Sequence, residues 1–96
     1  SFDEFLAWKN RNNCALIGTS DKAEADYQAL RYPNKLVIFM GSERMGLQAH
    51  HLQACEQVVS IPMSGRCDSL NVAVAASLVL YEVYNQRRKN HKKDIR

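Results

Sequence analysis

Cysteine is scarce and poorly placed for cross-linking: the three present, Cys14, Cys55 and Cys67, form no CxxC pair and share no ligand spacing with histidine. A disulfide framework and a zinc site are therefore poor readings. Two of the three fall in or beside apolar segments, where a free thiol acts as a small hydrophobe, and a reducing, cytoplasmic setting is expected. Long apolar runs are missing too. The longest, Val72 to Tyr84, is interrupted by Ser77 and Glu82 and falls well short of the roughly 20 residues a membrane span needs. The chain carries no signal-peptide pattern, no internal repeat, no GxGxxG and no Walker lysine-serine ending. His50-His51 lacks a companion cysteine or carboxylate at metal spacing, so the pair reads as helix-face histidines and no metal is expected.

What is present is an ordinary globular composition. The 96 residues are 46% hydrophobic and 24% charged, which excludes disordered and collagen-like classes. One domain of this size buries roughly 60 to 65% of the surface its unfolded chain exposes, so the core is thin. The net charge of +3 belongs wholly to the end of the chain, where six bases (Arg87, Arg88, Lys89, Lys92, Lys93, Arg96) face one acid, Asp94. Such a tail attracts phosphate backbones. It equally suits a solvated helix end, where cations complement the macrodipole.

Segment types alternate. Phe2, Phe5, Leu6 and Trp8 lie near helical spacing, with Ser1 or Asp3 as cap and Asn12-Asn13 as stop, and the three aromatics are expected in the core. "CALIGTS" reads as a short buried strand. Asp21 to Leu30 reads either as a partly exposed helix or as a loop. "KLVIFM" is a strand apolar on both faces, the pattern of parallel sheets. "GLQAHHLQACE" has a rough helical stripe, "QVVSI" is a third strand, and a last helix begins near Ser69-Leu70-Asn71 and runs to about Arg88. This order predicts an α/β fold with a parallel sheet flanked by helices. Three strands are fewer than the five or six usual in such sheets. The last helix is apolar almost all round and needs cover on several sides. A partner chain and residues preceding Ser1 are both expected to supply it, with Tyr81 and Tyr84 suited to a dimer seam.

Two stretches could carry chemistry. "MGSERMG", Met40 to Gly46, stands at the carboxyl end of the clearest strand, where open parallel sheets bind ligands. Glu43 would repel a phosphate there, which favours a phosphate-free, cationic or hydroxyl-bearing ligand; the plainer reading is a turn with Glu43 capping the next helix. In the second stretch, Ile61-Pro62 fixes an extended exit from the third strand, Ser64-Gly65 permits a tight turn and Ser69 can cap the last helix. A polar loop between buried elements either surfaces or wraps a polar ligand, because its amides and carbonyls require partners.

"LVIFMGSERMGL" followed by "VVSIPMSGRCDSLNVAVAASLVLYE" resembles the second and third motifs of the SpoU (TrmH-like) branch of the SPOUT, or α/β-knot, methyltransferases. The likeness covers about Lys35 to Arg88. It implies a C-terminal trefoil knot whose loops hold S-adenosylmethionine, with Gly41, Ile61, Met63, Ser69 and Leu70 against the cofactor, largely through main-chain groups that can read adenine's edge. It also implies methyl transfer to a ribose 2′-hydroxyl of tRNA or rRNA by a homodimer, with Glu43, Ser69 and Asn71 at catalytic positions. The family's activating arginine lies in an upstream first motif of the N-x-G-A-x-x-R kind. "NRNNCALIGTS" holds Arg11 and asparagines in the wrong order for it. Residues 1–96 thus resemble only the C-terminal, cofactor-binding part of one such domain, with 89–96 as a basic tail. The alternative expectation is a truncated, non-catalytic fragment that binds cofactor or RNA, or dimerises.

Overall fold

A computed structural model describes residues 1–41, 46–62 and 70–95, without the side chains of Leu70, Asn71 and residues 91–95. The order is α1 (Phe2–Arg11), β1 (Ala15–Thr19), β2 (Leu36–Phe39), α2 (Ala49–Ala54), β3 (Gln57–Val59) and α3 (Leu70–Ile95). The three strands form one parallel sheet in the order β2-β1-β3. Hence the expected parallel α/β arrangement is present, with β1 in the middle.

Local chemistry explains the first helix. The Ser1 hydroxyl accepts from the Glu4 N–H at 3.2 Å, satisfying one of the free amides of the first turn. The helix ends where Asn13 adopts φ 57°, a left-handed conformation that asparagine tolerates better than most residues. The Asn12 side-chain amide donates to the Trp8 carbonyl at 2.8 Å, closing the last turn. Phe2 turns inward and meets Phe39 of β2, ring centroids 5.7 Å apart, and His51 of α2 at 5.0 Å.

Trp8 departs from the core role expected of it. It is 45% exposed, and the residue α1 buries beside it is Lys9, with 3% of its side chain accessible. A lysine can be buried there because its ammonium donates to the Glu56 carboxylate just before β3. The second Glu56 oxygen accepts the Leu16 N–H of β1 at 2.6 Å. Burial pushes the Glu56 carboxyl up, but the bonds from Lys9 and Leu16 outweigh it and hold its pKa below the ordinary 4.5. One carboxylate thus ties α1, β1 and β3 together at the amino end of the sheet.

Among the described residues, the largest fully buried side chains are Leu16 and Ile17 of β1, Val59 of β3 and Val79 of α3. Asp21 to Leu30, read as either helix or loop, contains no helix: residues 20–35 cross between β1 and β2 as turns, with Asp26 bridging Ser60 in parallel. The last helix continues past Arg88 to Ile95, so most of the basic stretch expected as a tail is helical backbone. It buries Val79 and Val83 yet leaves Val74, Leu80, Tyr81 and Tyr84 between 45% and 63% exposed.

Candidate functional site

The carboxyl ends of the three strands lie side by side, because β1 pairs in register with both neighbours: Gly18 opposes Phe39, and Thr19 opposes Val59. Beyond them come Ser20, Gly41 and Ile61. The Ser20 N–H donates to the Val59 carbonyl at 3.0 Å, and the Thr19 hydroxyl lies 3.7 Å from Met40 Sδ. This edge therefore carries small, hydroxyl-bearing or sulfur-bearing side chains and main-chain groups.

Gly41 is packed against its own chain. A Cβ there would fall 2.1 Å from the Gly46 carbonyl carbon and 2.4 Å from the Leu47 nitrogen. Contacts this short with backbone leave no room for any side chain, so glycine is required for the chain to return across the end of β2. Gly46 has φ +64° and open space around it, so its role is conformational. The two glycines of "MGSERMG" are thus needed for different reasons. α2 has Gln48 at its capping position, well past Glu43, and the Gln48 N–H donates to His51 Nδ1 at 3.3 Å.

The exit of β3 is held from one side. Ser60 donates its N–H to the Ala25 carbonyl at 2.7 Å and its hydroxyl to the same oxygen at 3.2 Å, while its carbonyl accepts from the Tyr27 N–H at 2.8 Å. Ile61 follows half-buried, and Pro62 is exposed. The 20–35 crossover is itself tied to α3. Gln86 accepts from the Tyr32 N–H at 3.0 Å and donates to the Leu30 carbonyl at 2.8 Å and to Glu82 at 3.0 Å. The Tyr32 hydroxyl donates to the Tyr27 carbonyl at 2.6 Å. Burial first, then the negative charge of Glu82, pushes its pKa up to about 12.

Of the residues singled out in the sequence, Gly41 and Ile61 stand at the ends of β2 and β3, on either side of β1, and Leu70 and Asn71 open α3. Glu43, Met63 and Ser69 lie outside the described residues. Sequence reasoning overlooked Thr19 and Ser20, which end the central strand between Gly41 and Ile61; the signal was the "GTS" closing an apolar run. Arg11 is at the opposite edge, in the last turn of α1 before β1 begins. His50 and His51 pack edge-on against Phe2, and among the described residues no three metal-ligating side chains come together. No described helix is long and apolar enough to cross a membrane. Cys14 and Cys55 are free thiols, and burial raises the pKa of Cys55. On α3 the residues Ala73, Val74, Ser77, Leu78 and Tyr81 line an open apolar depression of about 430 Å³.

These features define an α/β protein with a candidate ligand site at the carboxyl ends of a parallel sheet, beside the glycine-dependent turn at Gly41. A sequence model of the SpoU rRNA Methylase family matches residues 1–81, and the chain belongs to that family. It is 39% identical over 72 residues to the 23S rRNA (guanosine-2′-O-)-methyltransferase RlmB of Ralstonia nicotianae, covering 75% of this chain and 29% of that protein. It superposes on the crystal structure of an RNA 2′-O ribose methyltransferase with TM-score 0.78 and 43% identity, covering 91% of this chain and 34% of the other. The SpoU methyltransferase AviRb of Streptomyces viridochromogenes, solved in complex with AdoMet, gives TM-score 0.79 and 32% identity over 91% of this chain and 35% of its own. The chain thus spans about a third of the length of these relatives.

Proposed function

We propose that these 96 residues are the C-terminal, cofactor-binding part of a single SPOUT domain that transfers a methyl group from S-adenosylmethionine to a ribose 2′-hydroxyl of tRNA or rRNA. A C-terminal trefoil knot belongs to the same reading. One observation carries it: within the matched region, the sterically closed Gly41 turn and the Ser60-Ile61-Pro62 exit flank the end of β1 on a single edge. That edge offers main-chain groups and hydroxyls, a donor set suited to adenine and ribose.

Gly41, Ile61, Met63, Ser69 and Leu70 are assigned to the cofactor, and Glu43, Ser69 and Asn71 to catalysis. When bound, the cofactor supplies an electrophilic methyl carbon on a sulfonium. The ribose hydroxyl proton would have to pass to a nearby acceptor. Ser69 and Asn71 are suited to orienting groups, since neither is a strong base. The exposed apolar face of α3 that includes Ala73, Val74 and Tyr81 is the surface through which a homodimer would form. The basic stretch beyond Asn85 would add phosphate contacts, and the free thiols accord with a reducing cytoplasm.

A second reading is a binding or dimerisation module without turnover. It is favoured by the position of Arg11, which lies at the amino end of the sheet, away from Gly41 and Ile61. Calorimetric titration with S-adenosylmethionine tests the cofactor site: saturable heat is expected, and none at millimolar ligand would end the proposal. Single-turnover methylation of unmodified RNA by this chain separates the two readings, with incorporation supporting the enzyme.

A further inference from the structure

Ile61 is held by residues far from it in sequence. Its predecessor Ser60 makes three hydrogen bonds to Ala25 and Tyr27, and so extends the β3 edge with a segment of the crossover. That segment has no secondary structure to stiffen it. Two side chains do so instead. Tyr32 reaches back to the Tyr27 carbonyl, pinning the far side of the turn, and Gln86 saturates both ends of its amide on Leu30, Tyr32 and Glu82. The path runs without a gap from α3, through the crossover, to the residue at which the chain leaves the sheet.

We infer that Gln86 and Tyr32 are positioning residues for the cofactor site, holding the 25–32 segment against Ser60 so that Ile61 leaves the sheet in one geometry. The inference rests on the cofactor reading above for its ligand, but not for the mechanical link. Gln86 suits the task because an amide donates and accepts at once; leucine of similar size would fill the space and release both Leu30 and Tyr32. Tyr32→Phe removes one bond only, that to Tyr27. Because α3 also carries the exposed face around Tyr81, the same helix would join an association surface to the cofactor site.

The test uses the full chain and its Gln86→Leu and Tyr32→Phe variants, followed by residue-resolved amide exchange and by titration with S-adenosylmethionine. Both variants are expected to speed exchange at the Tyr27 and Ser60 amides by about tenfold, with Ile17 and Gly18 of β1 unchanged, and to weaken cofactor binding by a similar factor. Gln86→Glu keeps the acceptor for Tyr32 but loses the donors to Leu30 and Glu82 and sets a carboxylate against that of Glu82, so it should speed exchange at least as much as Gln86→Leu. Unchanged exchange at Ser60 overturns the link. Faster exchange with undiminished affinity overturns the positioning role. Wild-type chain that binds no S-adenosylmethionine overturns the cofactor reading, while the exchange comparison still decides whether Gln86 and Tyr32 hold the exit.

Discussion

Removing the two halves of the Lys9–Glu56 pair should have unequal effects. Lys9 is 3% accessible at its side chain, whereas Glu56 is 47% accessible. In Glu56→Gln the ammonium stays buried without a counter-charge, a change that costs about 3–5 kcal/mol for fully buried pairs. Water reaches the Glu56 side, which screens the pair, so about 2 kcal/mol is a better expectation here. In Lys9→Met the remaining carboxylate can hydrate and still accept the Leu16 N–H, while methionine fills the vacated space. The cost should be about 1 kcal/mol or less. For a domain near 100 residues, about 2 kcal/mol lowers Tm by roughly 8–16 °C, well outside error. Urea unfolding of the two variants and wild type, with m unchanged, measures the difference. The pH dependence supplies a second reading. Because the folded pKa of Glu56 is depressed, its contribution is present above the ordinary 4.5 and is lost as pH falls through the folded value. Glu56→Gln should flatten that acid limb. Equal losses for the two variants, or a larger loss for Lys9→Met, would refute the argument from burial asymmetry.

Gly41→Ala and Gly46→Ala should separate steric from conformational need. The first places a Cβ 2.1 Å from backbone carbon and should unfold the loop and abolish cofactor binding, whereas the second, in open space at φ +64°, should cost only about 1 kcal/mol by thermal melting. Tyr32, with its pKa raised from 10.0 to about 12, favours the fold while neutral, so stability should fall as pH rises from 10 to 12. Tyr32→Phe should remove that slope in a pH series of denaturant melts. If α3 forms a seam between copies, Tyr81→Glu, at a side chain 63% exposed, should leave the Tm of the monomer within about 2 °C and eliminate dimer in sedimentation velocity. Dimer persisting in the variant would place the seam elsewhere.

Much of the fold was legible because its signals are local. Apolar runs marked β1, β2 and β3, Ser1 or Asp3 and Asn12-Asn13 marked the ends of α1, and the glycines of "MGSERMG" marked a turn at the end of a strand. The errors share a cause. Spacing alone puts Trp8 inside, but it is 45% exposed, and the side chain buried beside it is Lys9, which is held by Glu56, 47 residues on. The 20–35 crossover carries helix-forming residues, yet its carbonyls and amides are taken up by Ser60 and Gln86, partners its own composition does not announce.

By itself the order of residues determined the α/β class, the family motifs and the need for glycine near Met40. It did so because backbone preference and hydrophobic periodicity act over a few neighbouring positions. Tertiary structure alone decided that β1 is central, that Thr19 and Ser20 stand between Gly41 and Ile61, and that α3 braces the exit of β3. Those facts depend on pairings between residues 21 to 56 positions apart, whose free energy exists only once the chain has closed on itself.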